Sequence, residues 1–425
     1  MQTLPANAGP APPGHPAISP PTRTMPLLLA ALAALGPFST DTMLPSMLEI
    51  GRHFKAGPVA VQQVLTAYMV PFAIMSLWHG ALSDAIGRRR MILAGLLLYG
   101  GAAVGCATAP TLGALVAWRF VQGLVAGAGT VIGRATVRDF YAGAAAQRLM
   151  STVSGIFAIA PVIGPSVGAW LGVWFGWRSG FWFLAAVGGI LFTWVWFALP
   201  ETLPHSHRQS LHPVFLLRSY ARVFGNPAFL AATLALALNF CGFFIYVMSA
   251  PVFLVKHLGL KPTDFLWLFA QSSLGMMAGA WLSRQLAGRW SRWRTIRTGF
   301  TVMAAAAAFN VAYHAVAAAA IPWSVIPLFF YVTGMSLAMP SLTLVALDLF
   351  PSQRGLASSC QSFLQSGGGA LNAALIAPLI WGTALHLALA QLGLLALGAT
   401  AALVAYRHTA AYPEVGGIFQ VVQTN

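Results

Sequence analysis

The stretch Gly80-Ala-Leu-Ser-Asp84-Ala-Ile-Gly87-Arg88-Arg89-Arg90 decides the fold. It lies between two apolar runs, residues 59–83 and 91–109, each long enough to cross a bilayer core about 30 Å thick. A short arginine-rich loop between two such runs is typical of the cytoplasmic side of a membrane protein. The stretch therefore predicts two transmembrane helices that are joined on the inside of the membrane.

The composition of the whole chain also indicates a membrane protein. Of its 425 residues, 58% are hydrophobic and only 7% are charged, and the mean hydropathy is +0.74. A soluble domain would carry about a quarter charged residues. The net charge of +15 does not indicate nucleic acid, because no nucleic-acid motif accompanies it and basic residues gather in the inner loops of membrane proteins.

Outward from the first pair, the apolar runs predict an all-α membrane protein of twelve transmembrane helices. The predicted spans are 25–48, 59–83, 91–109, 112–138, 147–174, 180–199, 227–255, 264–287, 296–319, 322–348, 354–382 and 384–406. The longest polar interruption, residues 200–226, separates six spans from six. Such halves are typical of transporters built from structural repeats, which hold their substrate near the membrane midplane.

These spans predict five parts of the chain. We expect a disordered cytoplasmic tail (1–24), an N-terminal six-helix bundle (25–199), a cytoplasmic linker (200–226), a C-terminal six-helix bundle (227–406) and a second cytoplasmic tail (407–425). The first tail is rich in Pro and Ala and lacks the apolar run of a signal peptide. Seventeen of the 23 Lys and Arg residues fall on the side of the N-terminus and five on the other side, which predicts cytoplasmic termini.

Asp41 is the one acidic residue inside a predicted span. A carboxylate at that depth costs several kcal/mol unless it is paired, hydrated or protonated. A buried acid that alternates between its two forms can carry a proton, so we interpret Asp41 as the proton site. The structural alternative is that Asp41 caps a helix broken near Pro45.

Arg119 is the matching cation within the fourth span. Because a guanidinium group stays charged, it must face a cavity, a carboxylate or backbone carbonyls. It could tune the proton affinity of Asp41, or it could only hold the first span against the fourth; the sequence leaves both readings open.

The fifth span carries two prolines, Pro161 and Pro165, and small residues every four positions, Gly164, Gly168 and Gly172. Small residues let helices approach closely and proline bends a span. The pattern suits a tightly packed gate between the bundles, and ordinary helix packing is the alternative.

Candidate substrate contacts are polar, aromatic and methionine residues on otherwise apolar spans. They are Tyr68, Gln122, Asn239, Phe240, Phe243, Phe244, Tyr246, Met248, Gln271, Met335, Met339, Gln361 and Gln365. The cysteines Cys106, Cys241 and Cys360 and the scattered histidines show no metal spacing. We therefore expect no metal, no cofactor and no enzymatic centre, which would need a cluster of His, Asp or Cys at one membrane face.

Three motifs resemble those of the major facilitator superfamily. Gly80-x-Leu82-x-Asp84-x-x-Gly87-Arg88-Arg89-Arg90 is similar to its signature loop, Arg119-x-x-Gln122-Gly123 to its helix 4 motif, and Gly164-Pro165-x-x-Gly168 to the helix 5 motif of its antiporters. The resemblance implies a fold of two six-helix bundles. It also implies a gating loop in which Asp84 meets the basic residues and adjoining helix ends, and proton transfer linked to Arg119.

Four further stretches narrow the resemblance to the bicyclomycin-resistance and chloramphenicol-efflux branch of drug:proton antiporters. They are Asp41-Thr-Met-Leu-Pro45, Val137-Arg138-Asp139-Phe-Tyr141, Gly176-Trp177-Arg178 and Leu199-Pro200-Glu201-Thr202. This branch implies a bacterial inner-membrane protein that exports small amphipathic compounds in exchange for protons, and we expect a monomer. A proton-coupled importer or a dedicated metabolite exporter on the same fold is the alternative, and a sensor without flux would have the same sequence.

Overall fold

The structure is a computed structural model, and it describes residues 24–140, 160–203, 208, 213–350 and 353–410. The predicted tails at 1–24 and 407–425 therefore fall almost wholly outside the described residues. The same holds for residues 147–159 at the start of the fifth predicted span.

The first half of the chain, residues 25–199, forms eight helices in its described part. They are α1 (Met25–Asp41), α2 (Met47–Phe54), α3 (Pro58–Ile86), α4 (Arg88–Ala107), α5 (Leu112–Ala126), α6 (Ala128–Phe140), α7 (Ala160–Phe175) and α8 (Arg178–Ala198). A 3₁₀ turn, Leu44–Ser46, joins α1 to α2.

The second half, residues 227–406, follows a linker that itself contains helix α9 (Pro213–Phe224). Its described helices are α10 (Pro227–Met248), α11 (Leu266–Leu286), α12 (Arg292–Val316), α13 (Ile326–Asp348), α14 (Arg354–Leu371), α15 (Ala377–Ile380) and α16 (Ala384–Ala410). Short π-helices, Pro251–His257 and Asn372–Ile376, follow α10 and α14.

The predicted spans are present as helices. In the described residues, eleven helical segments are long and apolar enough to cross a membrane. The remaining predicted span, 147–174, is described from residue 160 onward, where α7 is apolar but short. Large side chains such as Trp174 and Phe197 are 70% and 82% exposed, as expected of helices that face lipid rather than water.

Three local features depart from the predicted spans. The first span breaks between α1 and α2, close to Pro45, because proline cannot donate the backbone hydrogen bond that would continue the helix. The fourth span breaks at Gly127, between α5 and α6. Residues 213–224 of the predicted linker are helical, and Tyr220 in this helix donates a 2.5 Å hydrogen bond to the Leu77 carbonyl of α3.

Helix packing places α1 at the centre of the first half. It contacts both α6 and α7, while α3 packs on α5 and α4 packs on α8. In the second half, α10 packs on α16, and α13 packs on both α11 and α12. The halves meet where α3 contacts α14 and where α7 contacts α11. The residues that end α1 therefore lie beside a helix that also reaches the second half.

Candidate functional site

Asp41 is the last residue of α1, and only 5% of it is exposed. Its carboxyl group has no hydrogen bond or ion pair within the described part of the chain. The cap of α2 is Ser46, so the alternative in which Asp41 caps that helix finds no support in the geometry. Asp41 also lies at the C-terminal end of a helix, where the backbone carbonyl dipoles disfavour negative charge. The site suits an acid that is neutral until it gives up its proton.

The glycines of α7 form a close contact surface against the end of α1. A Cβ atom at Gly164 would lie 2.9 Å from the Asp41 Cβ, and one at Gly168 would overlap the Thr42 carbonyl. One at Gly172 would lie 2.9 Å from the Ser46 Oγ. The glycine stripe therefore packs α7 on α1, inside the first half, and the α7 contact with α11 is a separate one.

Arg119 is completely buried in α5, and its polar contacts are to neutral groups. Its Nη1 donates a 2.7 Å hydrogen bond to Gln122 Oε1, and its Nε donates a 3.3 Å bond to the Val64 carbonyl. Its guanidinium lies 4.1 Å from the centre of the Tyr68 ring, a cation–π contact. Its Nη2 has no hydrogen-bond partner among the described residues. A buried guanidinium with an unused N–H group can donate a hydrogen bond to one more electronegative atom. Arg119 therefore has a donor free for a ligand.

Tyr68 connects Arg119 to α1. Its hydroxyl donates a 2.7 Å hydrogen bond to the Gly36 carbonyl of α1, and its ring carries the Arg119 guanidinium. It also lies within electrostatic range of both Arg119 and Asp41. The described residues show no ion pair between Arg119 and Asp41, and Tyr68 links the Arg119 guanidinium to the helix that ends at Asp41.

Arg88 is the centre of an ion-pair cluster at one end of the first half. It pairs with Asp84 at 2.6 Å and with Asp139 at 2.9 Å, and its backbone N–H donates to Glu201 Oε1 at 2.9 Å. Arg89 donates a 2.6 Å bond to the Trp196 carbonyl and lies over the Trp196 ring. The cluster joins the ends of α3, α4, α6 and α8.

Gly87 permits this cluster to form. Its φ of +109° is a conformation that side chains disfavour, and a Cβ atom there would collide with the Glu201 carboxylate. Gly80, one turn before Asp84, faces Val131 of α6 with ordinary van der Waals space. Arg90 is exposed and forms no ion pair in the described residues.

Asp139 and Glu201 belong to this cluster, although the sequence analysis assigned them no role. Asp139 also accepts a 2.7 Å hydrogen bond from Thr202, and Glu201 lies 4.0 Å from Arg208. The sequence gives one indication of their importance, which is that acidic residues are scarce. The chain has only eight of them, and Asp139 and Glu201 both lie next to predicted helix ends. Their position predicts that they form ion pairs, but the sequence does not identify the arginine that each one contacts.

Replacing Arg88 with alanine is expected to lower the free energy of unfolding by on the order of 2 kcal/mol. The change leaves Asp139, whose side chain is 21% exposed, without its cation, whereas Asp84 is 38% exposed and loses less because water screens it. Thermal unfolding of the purified protein measures the effect. Arg90→Ala is the matched control, and an equal loss in both variants would show that the cluster contributes nothing specific.

The candidate substrate contacts divide by exposure. Tyr68, Gln122, Asn239, Phe243 and Tyr246 are all less than 9% exposed. Gln271, Gln361 and Gln365 are half-buried, and Gln361 donates a 3.1 Å hydrogen bond to Thr343. The half-buried glutamines are therefore the more accessible candidates.

Tyr246 is engaged in packing within the second half. Its hydroxyl accepts a 2.7 Å hydrogen bond from Asn310, which also donates a 3.0 Å bond to Gln391. These side chains join α10, α12 and α16. Asn310 and Gln391 were not selected from the sequence, where each is a single amide in a long apolar run. Within the described residues, no group of three His, Cys, Asp or Glu side chains could hold a metal ion.

Residues 27–373 match the sequence model of the Major Facilitator Superfamily. The chain belongs to this superfamily. The family predicted from the sequence motifs is thus confirmed, and the chain is a multi-pass membrane protein with the major facilitator fold.

Several relatives in this superfamily carry names from drug resistance. Multidrug resistance protein D of Escherichia coli is 27% identical over 83% of this chain and 88% of its own length. The bicyclomycin resistance protein homolog of Haemophilus influenzae is 27% identical over 60% of this chain, and an uncharacterized MFS-type transporter, YdgK, of Bacillus subtilis is 31% identical over 61%. Each of the latter two alignments spans 65% of the relative's length, slightly less than two thirds.

Solved structures share the fold. A D-xylose-proton symporter superposes with a TM-score of 0.69 at 15% identity, covering 91% of this chain and 98% of that one. A bacterial homolog of the human lysosomal transporter Spinster, in an inward-facing and unoccupied conformation, gives 0.67 at 14% identity, covering 92% and 97%. The family and these relatives are transporters, in agreement with the prediction that the chain is not an enzyme.

Proposed function

We propose that this protein exports small amphipathic compounds across the bacterial inner membrane in exchange for protons. The observation that carries the proposal is Asp41, a buried acid with no partner among the described residues, at the point where α1 meets α7. Acids inside a membrane are expensive and functional by default. The names of the relatives, which refer to multidrug and bicyclomycin resistance, support drug-like compounds as substrates.

In the proposed cycle, Asp41 gives its proton to the cytoplasm and an amphipathic substrate enters the inward-open form. The outward-open form then releases the substrate, and Asp41 takes up a proton from outside. One charge that moves through the membrane potential supplies about 2.3 kcal/mol per 100 mV. The close packing of α7 on α1 suits this cycle, because a change in the Asp41 side chain is passed directly to a helix that also contacts α11.

Arg119 is proposed as the coupling cation. When Asp41 loses its proton, the new negative charge is attracted towards the unpartnered Nη2 of Arg119. The Tyr68 ring, which lies against Arg119 and is bonded to α1, would transmit that attraction to the helix. Gln122 holds the guanidinium in place from one side.

The Arg88 cluster is proposed as a cytoplasmic clasp within the first of two six-helix bundles. Ion pairs hold the ends of α3, α4 and α6 together, and hydrogen bonds from Arg88 and Arg89 hold the end of α8. Such contacts can break and re-form, as a gating element requires. The proposed orientation puts this cluster and both termini in the cytoplasm, on the side where most arginines lie. The substrate would bind between the bundles, close to Gln271, Gln361 and Gln365.

Purified protein in proteoliposomes tests the direction of coupling. With a labelled cationic or neutral drug on both sides, an imposed pH gradient is expected to drive the drug towards the acidic side, because protons move in the opposite direction. A proton symporter, the alternative, would carry the drug towards the alkaline side. Drug movement that does not respond to the pH gradient would rule out proton coupling.

A further inference from the structure

A cavity of about 470 Å³ lies at the end of the helices opposite to the Arg88 cluster. Its walls come from both halves of the chain. Residues of α2, of the turn that follows it and of the first turns of α3, between Met47 and Gln62, form one side. The segment from Met248 to Val252 forms the other side together with Trp381. Pockets that hold small molecules measure roughly 300–1,000 Å³, so this cavity is large enough for one ligand.

Two cations line the cavity without a partner. Arg52 and Lys55 are exposed, and neither forms an ion pair in the part of the chain that the structure describes. The nearest acid in sequence, Glu49, is turned the other way, towards Gly176. No acidic residue lines the cavity among the described residues. The cations are therefore free to meet a negative charge brought by a ligand.

Two further features of the wall point to the same chemistry. Gln62 is only 2% exposed and lines the cavity, and its Nε2 group has no hydrogen-bond partner in the described part of the chain. The 29-residue helix α3 begins at this wall, and its N-cap, Gly57, supplies no side chain to cap it. A helix N-terminus carries partial positive charge, which favours an anion nearby.

The remaining wall is apolar. Met47, Met248, Pro251 and Trp381 line it, and the indole N–H of Trp381 is already bonded to Ser249 at 3.0 Å. The Trp381 ring can therefore present only its apolar surface. Methionine and aromatic side chains adapt to apolar bodies of varied shape.

We propose that this cavity binds an amphipathic organic anion, with its acidic group at Arg52, Lys55 and Gln62 and its apolar body against Met248, Pro251 and Trp381. The site is separate from the Asp41 region, and the proposal does not depend on proton exchange. Because its walls come from both halves, a bound anion stabilises the arrangement in which these two segments are close together. The same chemistry could come from a free amphipathic acid or from an anionic lipid.

Binding of radiolabelled decanoate to the full chain in phosphatidylcholine nanodiscs tests the proposal. We expect saturable binding that unlabelled decanoate displaces and that decanol, which has the same body without the charge, does not. The double variant Arg52→Gln/Lys55→Gln is expected to weaken binding about tenfold, since it removes two partly exposed charge contacts. Both positions are on the surface, so the variant is expected to fold, which size-exclusion chromatography checks.

Lys256→Gln is the matched control, because Lys256 is exposed and does not line the cavity. A second arm repeats the assay in nanodiscs that contain phosphatidylglycerol. Competition by this lipid would identify an anionic lipid as the source of the ligand, and unchanged binding would identify a free acid. Equal binding of decanoate and decanol, or equal affinities in the wild type and the double variant, would overturn the proposal.

Discussion

Replacing Asp41 with asparagine is expected to abolish proton-driven drug accumulation in everted membrane vesicles. For a neutral substrate exchanged with one proton, the wild type can sustain a concentration ratio of about 50 per 100 mV of membrane potential. The variant is expected to reach only the ratio of vesicles without the protein. The reason is chemical: an amide has the size and shape of a protonated carboxyl group, but it cannot release a proton.

The variant should still fold, which makes the result informative. Asp41 has no hydrogen bond or ion pair to lose in the described structure, and a neutral amide is no more costly at this depth than a neutral acid. Downhill exchange of the labelled drug for unlabelled drug is therefore expected to persist in Asp41→Asn.

Glu49→Gln is the matched control. Glu49 lies one helix later, half-buried beside Gly176, and its loss is expected to leave proton-driven accumulation intact. If Asp41→Asn accumulates drug as well as the wild type under a proton gradient, Asp41 is not the proton site. If Glu49→Gln loses accumulation to the same extent, the effect cannot be assigned to Asp41.

The spans were predictable from the sequence because the bilayer imposes a length on every apolar helix. The predicted span 59–83 agrees closely with Pro58–Ile86, and 322–348 with Ile326–Asp348. Hydropathy averages over many residues, so it could not locate the single-residue break at Gly127 or the helix Pro213–Phe224 inside the polar linker. These features depend on local backbone geometry and on tertiary contacts.

The candidate site was predictable in so far as charge is rare. Asp41 and Arg119 were identifiable because a charge within a span has few structural reasons to be there. The partners of Arg119 were not identifiable, since Tyr68 reaches Arg119 from another helix and only the rotation of α3 decides which of its side chains faces α5. Neutral amides such as Asn310 gave an even weaker signal, because an uncharged side chain in an apolar run does not by itself demand a partner.

Replacing Gly168 with alanine is expected to impair both stability and transport, although it adds a single carbon atom. The new Cβ atom would overlap the Thr42 carbonyl, which is backbone and cannot turn aside, so α1 and α7 must move apart. Overpacking of this kind costs roughly 1–3 kcal/mol. We expect the melting temperature to fall by several degrees and proton-driven accumulation to fall with it, because the separation occurs next to Asp41.

Gly189→Ala provides the control for this change. Gly189 lies in α8 with no heavy atom within 4 Å of an added Cβ, and alanine is the better helix former there. The melting temperature of Gly189→Ala should therefore stay the same or rise slightly. A melting temperature for Gly168→Ala equal to that of the wild type would mean that α1 and α7 are not held at this distance. In that case the glycine stripe could not pass a change at Asp41 to the second half of the protein.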